Sequence, residues 1–128
     1  MLYREIGKSG IKASVISLGT WAAGGDAFWG GRDDKNAIEA IKAGIDNGIS
    51  LIDTAPAYGF GHSERLVGKA IKGRRSELII STKCGLQWDT EEGSYFLTRD
   101  GHKIYRNLSK KAVKQGAEES LLTWEQIT

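Results

Sequence analysis

Residues 49–71 decide the fold: Ile49-Ser50-Leu51-Ile52-Asp53-Thr54-Ala55-Pro56-Ala57-Tyr58-Gly59-Phe60-Gly61-His62-Ser63-Glu64-Arg65-Leu66-Val67-Gly68-Lys69-Ala70-Ile71. The apolar run from Ile49 to Asp53 is interrupted only by Ser50, which predicts a strand covered on both faces in a parallel sheet. A glycine-bearing loop, Tyr58 to Gly61, then feeds a helix. Ser63 offers an N-cap, Glu64 favours the positive helix end, and Leu66, Val67, Ala70 and Ile71 form an apolar stripe. Gly73 stops that helix.

The same unit recurs on both sides. Upstream, Val15-Ile16-Ser17-Leu18 closes at Gly19, a glycine- and aromatic-rich loop runs from Trp21 to Arg32, and Asp33 or Asp34 can cap a helix. Ile38, Ile41 and Ile45 give that helix one apolar face, ending near Gly48. Downstream, Leu78 to Ser81 reads as a third strand reaching Thr82 and Lys83. Strand and helix in alternation predict an α/β fold with a parallel sheet. Residues 2–14 contain two extended runs about Lys8-Ser9-Gly10 and predict an N-terminal β-hairpin.

Residues 84–108 read as a long polar loop, in which Tyr95-Phe96-Leu97 and Lys103-Ile104-Tyr105 can pair across a turn at Asp100-Gly101. Ser109 caps a third helix over 109–122, with Val113, Ala117 and Leu121 as its apolar stripe. Gln126-Ile127-Thr128 is long enough only for the stub of a fourth strand. The expected organisation is one domain over 1–128: hairpin 2–14, β/α units 15–83, loop 84–108 and helix 109–122.

Composition narrows the class. The net charge of +2 is too small to argue for nucleic acid or an anionic membrane surface. Lys110, Lys111 and Lys114 read as a solvated helix face. Cys84 is the one cysteine, so no intramolecular disulfide forms, which fits a reducing, cytoplasmic setting. No stretch approaches the ~20 apolar residues of a membrane helix, and Met1 to Glu5 has no signal-peptide core. No metal site is expected.

Chemistry gathers at the strand ends. Gly19-Thr20-Trp21 follows the first strand, Asp53 ends the second and Lys83 the third; in a (β/α)8 barrel such positions share the rim that carries the active site. Tyr58 follows Asp53 in the loop at that rim, so an acid, a phenol and an amine converge. Gly59 and Gly61 do not make a dinucleotide fingerprint, because Glu64 stands where a third glycine is needed. Trp21 and Tyr58 are the first candidates to line a substrate pocket, ahead of Phe28, Trp29 and Trp88. Cys84 reads as a small apolar filler, and His62 and His102 as surface residues.

Asp53-Thr54-Ala55 with Tyr58-Gly59, Gly61, Ser63-Glu64 and Gly68 resembles the aldo-keto reductase signature D-T-A-x-x-Y-G-x-G-x-S-E-x-x-x-G. Gly7 to Lys12, Leu18 to Trp21, and Ile80-Ser81-Thr82-Lys83 resemble the family's opening hairpin, first strand and lysine strand. The resemblance implies a TIM barrel and an NADPH-dependent oxidoreductase that reduces aldehydes and ketones to alcohols. It implies that Tyr58 is the general acid, that Lys83 favours its phenolate, and that Asp53 orients Lys83. Gly19, Thr20, Trp21 and Asp53 would contact the nicotinamide of NADPH. The family's fourth catalytic group is a histidine in a stretch like Y-I-D-L-Y-x-x-H-W, and neither His62 nor His102 occupies that position. A complete barrel takes ~250 residues and eight strands, against three here. The alternative expectation is therefore a non-catalytic, truncated half-barrel, self-associating through its open sheet edges.

Overall fold

The structure is a computed structural model and describes residues 1–125. In chain order it contains β1 (Tyr3–Glu5), β2 (Lys12–Ser14), β3 (Ser17–Gly19), α1 (Asp34–Asp46), β4 (Leu51–Asp53), α2 (His62–Ala70), β5 (Ile79–Ser81), β6 (Leu86–Gln87), β7 (Ser94–Arg99), β8 (His102–Arg106) and α3 (Lys110–Glu125). Single 3-10 turns at Ala22–Gly24, Ala27–Trp29 and Arg75–Glu77 punctuate the connections.

β3, β4 and β5 form a parallel sheet in that order. Its register sets Gly19 beside Asp53 and Asp53 beside Ser81, so the three strand ends finish in one row. Ladder bonds continue past the row, from Thr20 N to Asp53 O at 3.0 Å and from Thr54 N to Ser81 O at 2.9 Å. Ile52 is fully buried against Ile41 and Ile45 of α1, Val67 and Ala70 of α2, and Ile71 and Leu78. Each such buried aliphatic side chain contributes ~1.5–3 kcal/mol. Among the described residues the three parallel strands do not close into a barrel.

The first strand begins later than its apolar run predicts. Val15 donates to Leu2 O and Ile16 O accepts from Ser14 Oγ, which withdraws both residues from the parallel ladder and leaves them about half exposed. Ser14 also exchanges bonds with Ser50, tying the hairpin to the foot of β4.

Residues 84–108, expected to be mostly loop, hold an antiparallel sheet in the order β6-β8-β7. Asp100 and Gly101 both have positive φ, 50° and 80°, the geometry that a two-residue hairpin turn demands. β6, a strand of two residues flanked by Gly85 and Trp88, is too short to show a period in sequence.

The third helix is Lys110–Glu125 rather than 109–122, and its apolar stripe is displaced by one residue. Ala112, Ser120 and Trp124 are buried, whereas Val113 and Leu121 are exposed. With Gly116 between Ala112 and Ser120, both rows recur every four residues, and tertiary contact chooses the one containing a serine because Glu64 waits beneath it. Ser109 caps the helix through Ala112 N. The stub proposed at Gln126-Ile127-Thr128 lies outside the described residues.

Candidate active site

The register brings Asp53 and Lys83 together. Lys83 Nζ donates to Asp53 Oδ2 at 2.8 Å and to the Thr54 carbonyl at 2.9 Å. The same ammonium lies 4.9 Å from the centroid of the Tyr58 ring. Partial burial opposes the charge on Lys83, but hydrogen bonds and charge from Asp53 and Tyr58 outweigh it, so its pKa is raised. A raised folded-state pKa means that the interaction stabilises fully below the unfolded lysine value and is lost as pH rises through the folded one. Lys83→Met should therefore lower the melting midpoint at pH 7, and the gap from wild type should narrow above pH ~10.4. A gap that widens with pH contradicts this.

Tyr58 is placed by a backbone crossing. Gly59, at φ 66°, passes so close to Gly24 that an added Cβ would lie 2.1 Å from the Gly24 carbonyl oxygen; a Cβ on Gly24 would lie 2.7 Å from the Tyr58 carbonyl carbon. The loop after β3 thus clamps the loop after β4. Trp21 stacks on Tyr58 at 6.0 Å and 23°, on Phe28 at 5.5 Å, and edge-on to Trp29. Its Nε1 donates to Asp26 Oδ2 at 3.1 Å. Trp88 belongs instead with Phe60, 5.1 Å away.

Two buried polar knots support these groups; the first corrects the reading of Ser63, while Glu64 stands in the first turn of α2 as expected. Ser63 is not the N-cap: α2 is preceded by Gly61, and the Ser63 hydroxyl donates to Thr20 O at 2.7 Å, with Thr20 Oγ1 at 2.8 Å. Thr20 Oγ1 in turn donates to Asp53 O at 3.0 Å. Thr20 and Ser63 are both buried, so the hydroxyls lock the ends of β3 and β4 to the start of α2.

Glu64, only 3% exposed, accepts from Thr82 Oγ1 at 2.7 Å and from Ser120 Oγ at 2.9 Å. A buried carboxylate is tolerated when its oxygens are hydrogen-bonded. This one ties α2 to α3 and to the residue before Lys83. Ser63 and Glu64 stand four and three residues before Val67, on the same helix face, and that was the legible signal for their burial. Glu64→Ala should cost about 1–3 kcal/mol by leaving the buried Ser120 hydroxyl and the partly buried Thr82 hydroxyl without an acceptor. Glu64→Gln, which keeps one carbonyl oxygen, should recover part of it in a denaturant melt.

The histidines stand apart from the cluster. His62, expected at the surface, is buried, with Nε2 2.6 Å from Asp34 Oδ1, joining the starts of α1 and α2. His102 is exposed and packs on Phe60 at 4.3 Å. Cys84 is exposed, not an apolar filler. It borders a cavity of about 180 Å³ lined by Pro56, Tyr58, Lys83, Cys84 and Leu86, beside the paired groups. Among the described residues no group of three or more metal-ligating side chains is assembled, and no helix is long and apolar enough to cross a membrane.

The chain that carries this arrangement has relatives of known kind. The sequence model of the Aldo/keto reductase family matches residues 15–125. The chain is 46% identical to aldo-keto reductase YhdN of Bacillus subtilis (strain 168) over 123 residues, 94% of this chain and 34% of that protein. It is 40% identical to the NADH-specific methylglyoxal reductase of Escherichia coli (strain K12), over 91% of this chain and 36% of that one. The fold superposes on the glycerol dehydrogenase AKR11B4 from Gluconobacter oxydans with a TM-score of 0.76 and 37% identity, covering 96% of this chain and 36% of the other. The chain spans about a third of the length of the curated relatives it matches. With its family model matched over nearly its whole length, the chain belongs to the aldo/keto reductase family of oxidoreductases.

Proposed function

We propose that this chain carries the acid–base apparatus of a nicotinamide-dependent carbonyl reductase, with NADPH as cofactor and small aldehydes or ketones as substrates. The reading is carried by one observation: Lys83 Nζ sits 2.8 Å from Asp53 Oδ2 and 4.9 Å from the Tyr58 ring, beside a cavity of small-molecule size. When bound, the cofactor supplies a hydride to the carbonyl carbon. The Tyr58 hydroxyl gives its proton to the carbonyl oxygen, which completes the alcohol and leaves a phenolate. The Lys83 ammonium, oriented by Asp53, stabilises that negative charge where it develops.

The residues present fit the nicotinamide end of the cofactor. A Cβ added to Gly19 would meet nothing within 4 Å, so the end of β3 offers an open backbone beside Asp53, and Trp21 next to it is 40% exposed. Thr20 has its hydroxyl, its N–H and its carbonyl all committed to Asp53 and Ser63, so it holds the end of β3 in place beneath that opening. The reading is tested by following NADPH emission as the polypeptide is added, then turnover of an aromatic aldehyde. Binding with turnover supports it, and unchanged emission at high protein concentration refutes it.

A second reading is favoured by the placement of the histidines. His62 is held by Asp34 and His102 by Phe60, so neither meets Tyr58 or Lys83. In that case residues 1–128 alone are a non-catalytic half-barrel that self-associates through the open sheet edges. Light scattering that reports a monomer would remove the self-association.

A further inference from the structure

Arg99, at the end of β7, has no part in the proton transfer proposed above, yet it reaches Tyr58 from two sides. Its Nη2 donates to the carbonyl of Ala57, 42 residues earlier, at 2.6 Å, on the peptide that leads into Tyr58. Its Nη1 stands 3.9 Å from Asp26 Oδ2, a carboxylate only 5% exposed. That oxygen accepts from the indole of Trp21, whose ring stacks on Tyr58, and Asp26 Oδ1 accepts from Phe28 N. The guanidinium also lies 5.4 Å from the Phe60 ring centroid, two residues past Tyr58, where Phe60 is held at a φ of 54°.

Two costs show that Arg99 is held in place by these contacts. Its Nε is buried and has no hydrogen-bond partner among the described residues, and such an atom is destabilising unless other contacts offset it. Asp26 is a nearly buried carboxylate that needs a cation or several donors, and Arg99 supplies the cation. A planar fork reaches a carbonyl and a carboxylate at once; the compact ammonium of lysine does not.

We propose that Arg99 is a positioning residue for Tyr58. It fixes the backbone before the phenol directly and the indole above it through Asp26, and so couples the β6-β8-β7 sheet to the reacting group. The kinetic part of this inference rests on Tyr58 being the proton donor, whereas its structural part is read without turnover. The same polypeptide is compared as wild type, Arg99→Met, Arg99→Lys and Gln87→Ala. Gln87→Ala loosens the same sheet by removing the Gln87–Asn107 bond without touching the Tyr58 loop. The near-ultraviolet circular dichroism of Trp21 stacked among Tyr58, Phe28 and Trp29 is identified first as the band lost in Trp21→Phe, and its Tyr58 share as the part lost in Tyr58→Leu.

Arg99→Met is expected to lose most of that band and to lower kcat roughly ten- to hundredfold with KM within about twofold, as displacement of a reacting group does. Arg99→Lys should restore part of both, and Gln87→Ala should move neither. The proposal is overturned if Arg99→Met keeps the band and its kcat, or if Gln87→Ala reproduces both losses, which would leave Arg99 a mere anchor of the sheet. If Tyr58→Phe leaves turnover intact, the proton-donor reading fails, and the response of the band to Arg99→Met still decides the positioning claim.

Discussion

Tyr58→Phe is expected to lower kcat for aldehyde reduction by about 10²–10⁴, the usual contribution of a positioned general acid, while NADPH binding changes little. The substitution removes one hydroxyl and keeps the ring. Stacking on Trp21 at 6.0 Å and the approach of Lys83 Nζ to the ring therefore persist, and the loss is read as chemistry rather than misfolding. kcat and kcat/KM should fall together, as they do when an interaction made only in the transition state is lost. Steady-state kinetics with fluorescence titration of NADPH make the comparison. Equal turnover by Tyr58→Phe and wild type would sink the acid–base assignment.

The largest stability effect is expected at a glycine. Gly59→Ala should destabilise the protein by about 2–5 kcal/mol, about 1–2 for a side chain in left-handed backbone and about 1–3 for overpacking a contact that cannot yield. The neighbour met by the new Cβ is the Gly24 carbonyl oxygen at 2.1 Å, which is backbone and cannot rotate aside. Tyr58 must move with Gly59, so activity should fall further than stability alone accounts for. By contrast Gly101→Ala, also at positive φ, meets nothing within 4 Å and should cost only the backbone component. Urea melts of the two variants give the comparison; equal costs would show that the crossing is loose.

Much of the fold was legible in the order of residues. The runs at 49–53 and 78–81, the helical stripe Ile38-Ile41-Ile45 and the Asp100-Gly101 turn state their own periods, because local sterics and one-sided burial act over a few neighbouring residues. The convergence of the proposed reactive set was legible too. Asp53, Tyr58 and Lys83 sit at strand ends or just beyond, and parallel register carries strand ends to one rim. Where a position depends on a partner far along the chain, the reading failed. The face of α3 could not be chosen between Ala112–Gly116–Ser120–Trp124 and Val113–Ala117–Leu121, since both repeat every four residues. His62 is buried because Asp34 happens to stand across from it.

The amino-acid order by itself determined a parallel α/β unit, the identity of its acid, phenol and amine, and the ends of the strands that present them. Only the tertiary structure decided that Glu64 joins Thr82 to Ser120, that Ser63 locks Thr20 rather than capping a helix, and that Arg99 reaches back to Ala57. The reason is physical. Periodicity and propensity report which side of a segment is covered, whereas a polar side chain is buried only where a distant donor or acceptor meets it.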